Sequence, residues 1–184
     1  MLSKTQKAGN ADLRRQLQQI TDEFTGLVVQ LQIQRIERLR GEWNHRITLV
    51  EPAIVGDPRT YDFNCHAFTF RLHELQVFWE LCRLKPELWP TGTFVSNRLL
   101  AAMARIRRTH AVQGNVVLYF DGNRIAHSGV FAGRNVVESK WGTAHRWRHG
   151  VFEVPSSYSS ATRYFRPPSL EHVRAAFLEF AKAA

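Results

Sequence analysis

Cysteine is scarce in this chain of 184 residues, which contains only Cys65 and Cys82. Two cysteines are too few for a disulfide framework. The sequence also lacks an apolar run long enough to cross a membrane, and its first residues contain no apolar signal-peptide core. We therefore expect a cytoplasmic protein with reduced thiols, with export by a route that needs no cleaved signal as the alternative.

Acidic side chains are outnumbered, with 16 Asp and Glu against 25 Lys and Arg, giving a formal charge of +9. An excess of this size indicates an acidic partner or surface, such as an acidic protein, a cell-wall polymer, anionic lipid or nucleic acid. Basic charge by itself is a weak indication of specific nucleic-acid recognition, so we rank nucleic acid below a protein or peptide partner.

Apolar residues are plentiful enough for one domain with a sizeable core, at 44% of the chain. From about Asp12 to Trp43 they recur at three- and four-residue steps, which predicts one long amphipathic helix. We assign residues 1–50 to an N-terminal helical arm and residues 51–184 to a catalytic domain with a C-terminal helix. Packing of the arm on its own domain is favoured over a homodimer through this helix.

Later segments predict helices first and strands second. Helices are expected from Cys65 to about Leu84, from Arg98 to about Thr109, and after Ser169. A meander of three strands is expected at 116–120, 124–132 and 136–141, joined by tight turns, with 151–154 and 163–166 as extensions and 145–149 as a loop. This order predicts an α+β fold.

The segment Tyr61-Asp62-Phe63-Asn64-Cys65-His66-Ala67 places a cysteine where a polar turn meets a helix. A helix N-terminus favours the thiolate form of such a residue. The alternative is a small buried hydrophobic residue, which is the usual role of a cytosolic cysteine. Asn64 and His66 favour the functional interpretation, because a core cysteine normally has apolar neighbours.

His127 lies in the predicted strand Ile125-Ala126-His127-Ser128-Gly129, and Glu138 lies in the next one. Cysteine, histidine and carboxylate in this order predict a nucleophile, its base and a group that orients the base. A structural histidine, and an ion pair of Glu138 with Lys140 or an arginine, are the alternatives. Gly129 inside a strand indicates a close approach of another backbone.

These motifs resemble the papain-like superfamily that contains the NlpC-type cell-wall peptidases and the CHAP amidases. Asn64-Cys65-His66, His127-Ser128-Gly129-Val130 and Glu138-Ser139-Lys140-Trp141-Gly142 are most similar to a group of uncharacterised bacterial NlpC-like proteins. The resemblance covers roughly residues 58–168. It implies a cysteine helix packed on an antiparallel sheet, a Cys65–His127–Glu138 triad and amide-bond chemistry. Asn115 and Ala67 depart from the aspartate and glycine that are usual at these positions.

We therefore predict a cofactor-independent hydrolase of amide bonds, acting as a peptidase, amidase or deamidase on a peptide or protein substrate, without membrane association. Asn64 and Tyr61 are candidate oxyanion donors beside the Cys65 N–H group. Trp141 and Trp147 are candidate substrate-binding residues. Trp147, flanked by Arg146 and Arg148, would stack on a base or sugar while the cluster binds anions. A metal site at His145 and His149 is much less favoured. The alternative function is an inactive papain-like module that binds an acidic partner or nucleic acid through its basic surface.

Overall fold

Six helices and a seven-stranded antiparallel sheet make up the part of the chain that this computed structural model describes, residues 4–22, 29–54, 56, 57, 59–61 and 63–184. The α-helices are α1 Lys4–Asp22, α2 Val29–Trp43, α3 Cys65–Thr69, α4 Gln76–Leu84, the single turn α5 Gly92–Phe94 and α6 Leu170–Ala183. The strands are β1 Thr48–Glu51, β2 Arg105–Ile106, β3 Val116–Asp121, β4 Arg124–Gly133, β5 Val136–Lys140, β6 Arg146–Gly150 and β7 Ala161–Phe165. The sheet order is β1-β6-β5-β4-β3-β7-β2. The α+β class is confirmed, and no helix in these ranges is both long and apolar enough to pass through a bilayer.

The predicted meander is confirmed as β3, β4 and β5, each paired antiparallel with the next. The turn between β4 and β5 places Arg134 and Asn135 at positive φ, as a tight hairpin requires. The prediction of a loop at 145–149 is wrong, because this segment forms β6 between β5 and β1. Residues 151–154 form no strand. The loop prediction followed from the basic residues of segment 145–149, although β5, one of the two partners of β6, is adjacent in sequence.

The N-terminal segment forms two helices, so the prediction of one helix from Asp12 to Trp43 is wrong. Gln32 Nε2 lies 3.4 Å from the Ile20 carbonyl oxygen, whereas residues 12 apart in one helix are separated by about 18 Å. The two helices therefore fold back on each other. Phe24, Leu27 and Val28 of the predicted stripe lie outside the described residues, as do Pro58 and Asp62 before Cys65.

Both N-terminal helices pack into the core of the same chain, as the favoured interpretation of the arm requires. They share one apolar cluster with the β1–β6–β5 end of the sheet, formed by Leu13, Leu17, Ile20, Ile36, Leu39, Ile47, Trp141 and Trp147. The predicted boundary between residues 50 and 51 lies inside β1, which is an edge strand of the sheet. Residues 1–50 therefore contribute both helices and a strand to the folded core.

Two predicted helices are interrupted. Arg71 adopts a left-handed conformation and Leu75 an extended one, so that α3 stops after Thr69 and α4 begins at Gln76. The predicted helix from Arg98 to Thr109 is replaced by a helical segment at 92–102, capped by Thr91, and by the short strand β2. β2 forms because it pairs with β7, a contact that helical spacing cannot reveal.

The two sides of the sheet are covered by different parts of the chain. Leu118 pairs with Ser128, and Tyr119 pairs with His127, so these neighbouring positions face opposite sides. The Leu118 side packs against α3, α4 and α6. The Tyr119 side packs against the segment that follows β6. β4 thus runs between the cysteine helix on one side and a second apolar layer on the other.

Candidate active site

Cys65 is the first residue of α3, and Asn64 caps this helix. Asn64 Oδ1 accepts hydrogen bonds from the backbone N–H groups of His66 and Ala67, both at 3.0 Å. Its Nδ2 donates to the Pro90 carbonyl oxygen at 2.7 Å. The predicted oxyanion donor Asn64 therefore has a defined structural role as the helix cap, and its amide ties the turn to the segment that follows α4.

The thiol of Cys65 is buried against β4, with 7% of the residue exposed. Burial raises the pKa of the Cys65 thiol to about 11, although hydrogen bonds from Ser128 and from the backbone N–H groups of His66 and Cys65 oppose this rise. At neutral pH the resting thiol is therefore protonated. The helix N-terminus by itself does not produce the thiolate that the sequence pattern indicates.

Ser128 joins α3 to β4. Its hydroxyl donates to the Cys65 carbonyl oxygen at 3.2 Å and accepts from His66 Nδ1 at 2.9 Å. Burial lowers the pKa of His66 to about 4, so its ring is neutral at physiological pH. Ser128 and His127 are adjacent in β4, so their side chains face opposite sides of the sheet. The Cys65 turn therefore lies on the Ser128 side, and the His127 ring lies on the other.

His127 is fully buried, and only one of its ring nitrogens has a partner. Nε2 lies 3.0 Å from Ser139 Oγ, whereas Nδ1 has no hydrogen-bond partner within the described ranges. Burial, reinforced by the nearby His149 and His66, moves the pKa of His127 well below its usual range. The ring is therefore neutral and retains an unused nitrogen.

Glu138 does not contact His127, and this part of the predicted triad is corrected. Its carboxylate pairs with Arg146 at 3.3 Å and with Arg148 at 3.1 Å, which is the alternative of an arginine ion pair. Adjacent residues of a strand face opposite sides of the sheet. Ser139, not Glu138, therefore shares the side of His127 and occupies the position next to its ring.

Ser139 also contacts a second histidine, which sequence reasoning did not assign to the site. Ser139 Oγ lies 2.8 Å from His149 Nε2, and His149 Nδ1 lies 2.9 Å from the Gly150 carbonyl oxygen. Burial lowers the pKa of His149 to about 4. The available sequence signal was polar residues on successive strands, but a local pattern does not specify which of them share a side.

Tyr158 covers His127 and was also missed. The two rings stack with centroids 3.9 Å apart and planes 6° from parallel, and the Tyr158 hydroxyl accepts from the Gly142 N–H at 2.8 Å. Arg14 of α1 holds the segment around Tyr158. Its guanidinium donates, at 2.7–3.3 Å, to the carbonyl oxygens of Val154, Pro155, Ser156 and Ser159. The site is closed in this arrangement.

Tyr61 and the two predicted tryptophans lie in different surroundings. The Tyr61 carbonyl oxygen is 3.4 Å from Lys140 Nζ, just before the Cys65 turn. Trp141 and Trp147 are buried, with ring centroids 5.4 Å apart, in the cluster beneath α1 and α2. Both indoles are core residues here, so their predicted contact with substrate has no support from their placement.

A cavity of about 750 Å³ opens next to the Cys65 turn, lined by Gln76, Trp79, Glu80, Cys82, Arg83, Trp89 and Thr143. Trp79 contacts Phe63, and Trp89 precedes Pro90, the partner of Asn64. The aromatic lining can accept an apolar group. In the ranges that the structure covers, no three metal-binding side chains converge on one point.

Comparisons with protein-family models, with curated proteins and with solved structures found no match to this chain.

Proposed function

We propose that this chain is a thiol-dependent hydrolase of amide bonds with a papain-like arrangement, in which Cys65 is the nucleophile and His127 the base. The observation that supports the proposal is the docking of the Cys65 turn on Ser128, which directly follows in β4 a histidine whose Nδ1 has no hydrogen-bond partner among the described residues. A buried nitrogen without a partner is costly in a purely structural histidine, and it is the group that a general base requires.

The reaction begins from a neutral thiol and a neutral imidazole. As the Cys65 sulfur attacks the amide carbonyl carbon, its proton passes to His127 Nδ1. The tetrahedral intermediate collapses, the C–N bond breaks, and His127 returns the proton to the leaving amine. Water then attacks the thioester with His127 as base, releasing the carboxylic acid and restoring the thiol. Ser139, not Glu138, is the group that orients His127.

The proposal requires the segment around Tyr158 to open and β4 to rearrange, because both reacting side chains are buried and they lie on opposite sides of the strand. The cavity lined by Trp79 and Trp89 lies beside the Cys65 turn and is the place where a substrate side chain would bind. Peptides with a large apolar residue near the cleaved bond are therefore the first substrates to test.

The test is site-resolved alkylation of the two cysteines by a neutral electrophile, followed by mass spectrometry from pH 6 to 11. With a pKa of about 11, unassisted Cys65 would be thiolate in roughly one molecule in several thousand at pH 7.5. We expect labelling well above this level, and a fall of at least tenfold in His127→Gln, with Cys82 as internal control. The same measurement is made in Arg14→Gln, because loss of Arg14 should open the segment that closes the site.

The proposal would be overturned if the labelling rate of Cys65 simply followed the ionisation of a thiol with a pKa of about 11 and did not change in His127→Gln, both in the parent protein and in Arg14→Gln. Retention of labelling in Glu138→Gln, together with its loss in Ser139→Ala, would support Ser139 as the orienting group.

A second candidate is a module that binds a polyanion, and it is favoured by the arginines at the β2–β7 edge. Residues 88–120 and 154–170 contain no Asp or Glu. Concave surfaces of about 510 and 720 Å³ at this edge are lined by Arg105, Arg107, Arg108, Arg163 and Arg166. None of these five arginines belongs to a salt bridge between described residues.

Guanidinium groups without carboxylate partners are suited to bidentate contacts with phosphate. Fluorescence anisotropy with a labelled single-stranded oligonucleotide tests this candidate. Binding should weaken steeply with salt, and the slope should become shallower in Arg105→Gln/Arg107→Gln than in the control Arg174→Gln. Equal slopes in the two variants would exclude this edge as the binding surface.

A further inference from the structure

His127 and three other groups of its buried layer form a continuous hydrogen-bonded chain. It runs from His127 Nε2 to Ser139 Oγ at 3.0 Å, from Ser139 Oγ to His149 Nε2 at 2.8 Å, and from His149 Nδ1 to the Gly150 carbonyl oxygen at 2.9 Å. We infer that His149 is a positioning residue whose hydrogen bond to Gly150 fixes the tautomer of His127, with the proton on Nε2 and the lone pair on Nδ1. The inference rests on the proposed function for its catalytic meaning, but not for its geometry.

The direction of each hydrogen bond follows from the last acceptor. A carbonyl oxygen can only accept, so His149 Nδ1 carries the hydrogen. A neutral imidazole has one N–H group, which makes His149 Nε2 an acceptor. The single hydroxyl hydrogen of Ser139 is therefore donated to His149, and its oxygen accepts from His127 Nε2–H.

The remaining nitrogen, His127 Nδ1, is left with a lone pair. In the opposite tautomer, His127 Nε2 and Ser139 Oγ would face each other without a hydrogen between them, unless His149 also gave up its bond to Gly150. Each group left unsatisfied at this depth costs about 1–3 kcal/mol. All three side chains have zero exposure, so water cannot replace the missing partner.

Neutral rings are required for this argument, and burial provides them by lowering the pKa of both histidines. The consequence is a base that is ready before substrate arrives. His127 Nδ1 already carries the lone pair that a proton acceptor needs, and the imidazolium that forms would keep its Nε2–H bond to Ser139.

The tautomers can be read directly from two-bond ¹H–¹⁵N correlation spectra of protein labelled at histidine, recorded at neutral pH. We expect the proton on Nε2 in His127 and on Nδ1 in His149, with the same result in Cys65→Ser, which has no thiol chemistry. A proton on His127 Nδ1 or on His149 Nε2 in the parent protein would overturn the inference, and no variant needs to fold for this result.

Substitution of His149 then tests whether this residue determines the tautomer of His127. His149→Phe removes the acceptor for Ser139, so that the population of the Nδ1–H form of His127 should rise and labelling of Cys65 should fall about tenfold. His149→Gln retains an acceptor oxygen and should restore the parent spectrum, and the exposed His172→Gln should change nothing. An unchanged His127 tautomer in folded His149→Phe would show that a group other than His149 determines it.

The experiments distinguish failure of the proposed hydrolase from failure of the proposed tautomer. The expected tautomers combined with an unreactive Cys65 would remove the hydrolase and leave the buried chain in place. Reversed tautomers, together with a reactive Cys65 that depends on His127, would support the hydrolase and overturn the inference about the tautomers.

Discussion

The ring of Tyr158 lies flat on the ring of His127, with centroids 3.9 Å apart. Tyr158 belongs to a short 3₁₀ turn that is attached to α1, because Arg14 donates to four carbonyl oxygens of this segment and Gln18 Oε1 accepts from the Ser157 N–H. Access to His127 therefore depends on a helix more than a hundred residues away in sequence.

Loss of the Arg14 side chain should open this cover. In Arg14→Gln we expect faster hydrogen exchange, by at least tenfold, at the amides of residues 154–159, because four carbonyl acceptors lose their donor. Arg15→Gln is the matched control, since the exposed Arg15 pairs only locally with Asp12. Equal exchange in the two variants, measured by mass spectrometry, would show that Arg14 does not hold the segment.

Neighbouring substitutions in β5 should have unequal effects on stability. Ser139→Ala leaves two buried histidine nitrogens without their partner, and we expect a loss of about 1–3 kcal/mol in the free energy of unfolding. Glu138→Gln removes a partly exposed ion pair with Arg146 and Arg148, for which the expected loss is about 1 kcal/mol or less. Urea unfolding followed by tryptophan fluorescence gives both values, and a larger loss in Glu138→Gln would contradict the assignment of the two side chains.

Acid should destabilise the fold through its buried histidines. The pKa of His66 and of His149 is about 4 in the folded protein, against about 6.5 in the unfolded chain. Between these values the unfolded state binds more protons, so stability is present above pH 6.5 and is lost as the pH falls toward 4, by roughly 3 kcal/mol for each group.

Urea midpoints measured between pH 7.5 and 4.5 test this expectation. His149→Gln should make the pH dependence shallower by about one proton. A parent protein whose stability stays constant over this range would contradict the neutral state of these rings.

Gly129 confirms the close backbone approach that its place in a strand indicates. A Cβ atom there would lie 3.0 Å from the backbone carbonyl oxygen of Glu138, 2.5 Å from Val137 Cγ1 and 3.0 Å from Ser139 Cβ. We expect Gly129→Ala to cost about 1–3 kcal/mol and to move Ser139 away from His127.

Gly41→Ala is the matched control for this substitution. Nothing lies within 4 Å of its added Cβ in α2, so we expect a stabilisation of about 0.5–1 kcal/mol. A neutral effect of Gly129→Ala in urea unfolding would show that β4 and β5 are not in close contact.

Local signals predicted part of the fold. The meander β3–β5, the cap at Ser169 and the polar turn before Cys65 all follow from residues within a few positions. Strand β6 was missed although its partner β5 is adjacent in sequence, because its basic residues indicated a solvated loop. The separation of α1 from α2 was missed because apolar residues recur at helical spacing through both. In the site, Cys65 stood out by its polar neighbours and His127 as a polar residue in an apolar strand, whereas the choice of Ser139 over Glu138 required the register of the sheet.

Lys140 anchors the turn that carries Cys65. Its buried ammonium group lies 2.6 Å from the Ala144 carbonyl oxygen, 2.8 Å from that of Thr143 and 3.4 Å from that of Tyr61, and 4.3 Å from the centre of the Phe63 ring. Proteins bind potassium ions in a similar way, with backbone carbonyl oxygens arranged around the cation. Here the cation is covalently tethered to β5, so the anchor of the cysteine turn cannot be removed by dialysis or displaced by a competing ion.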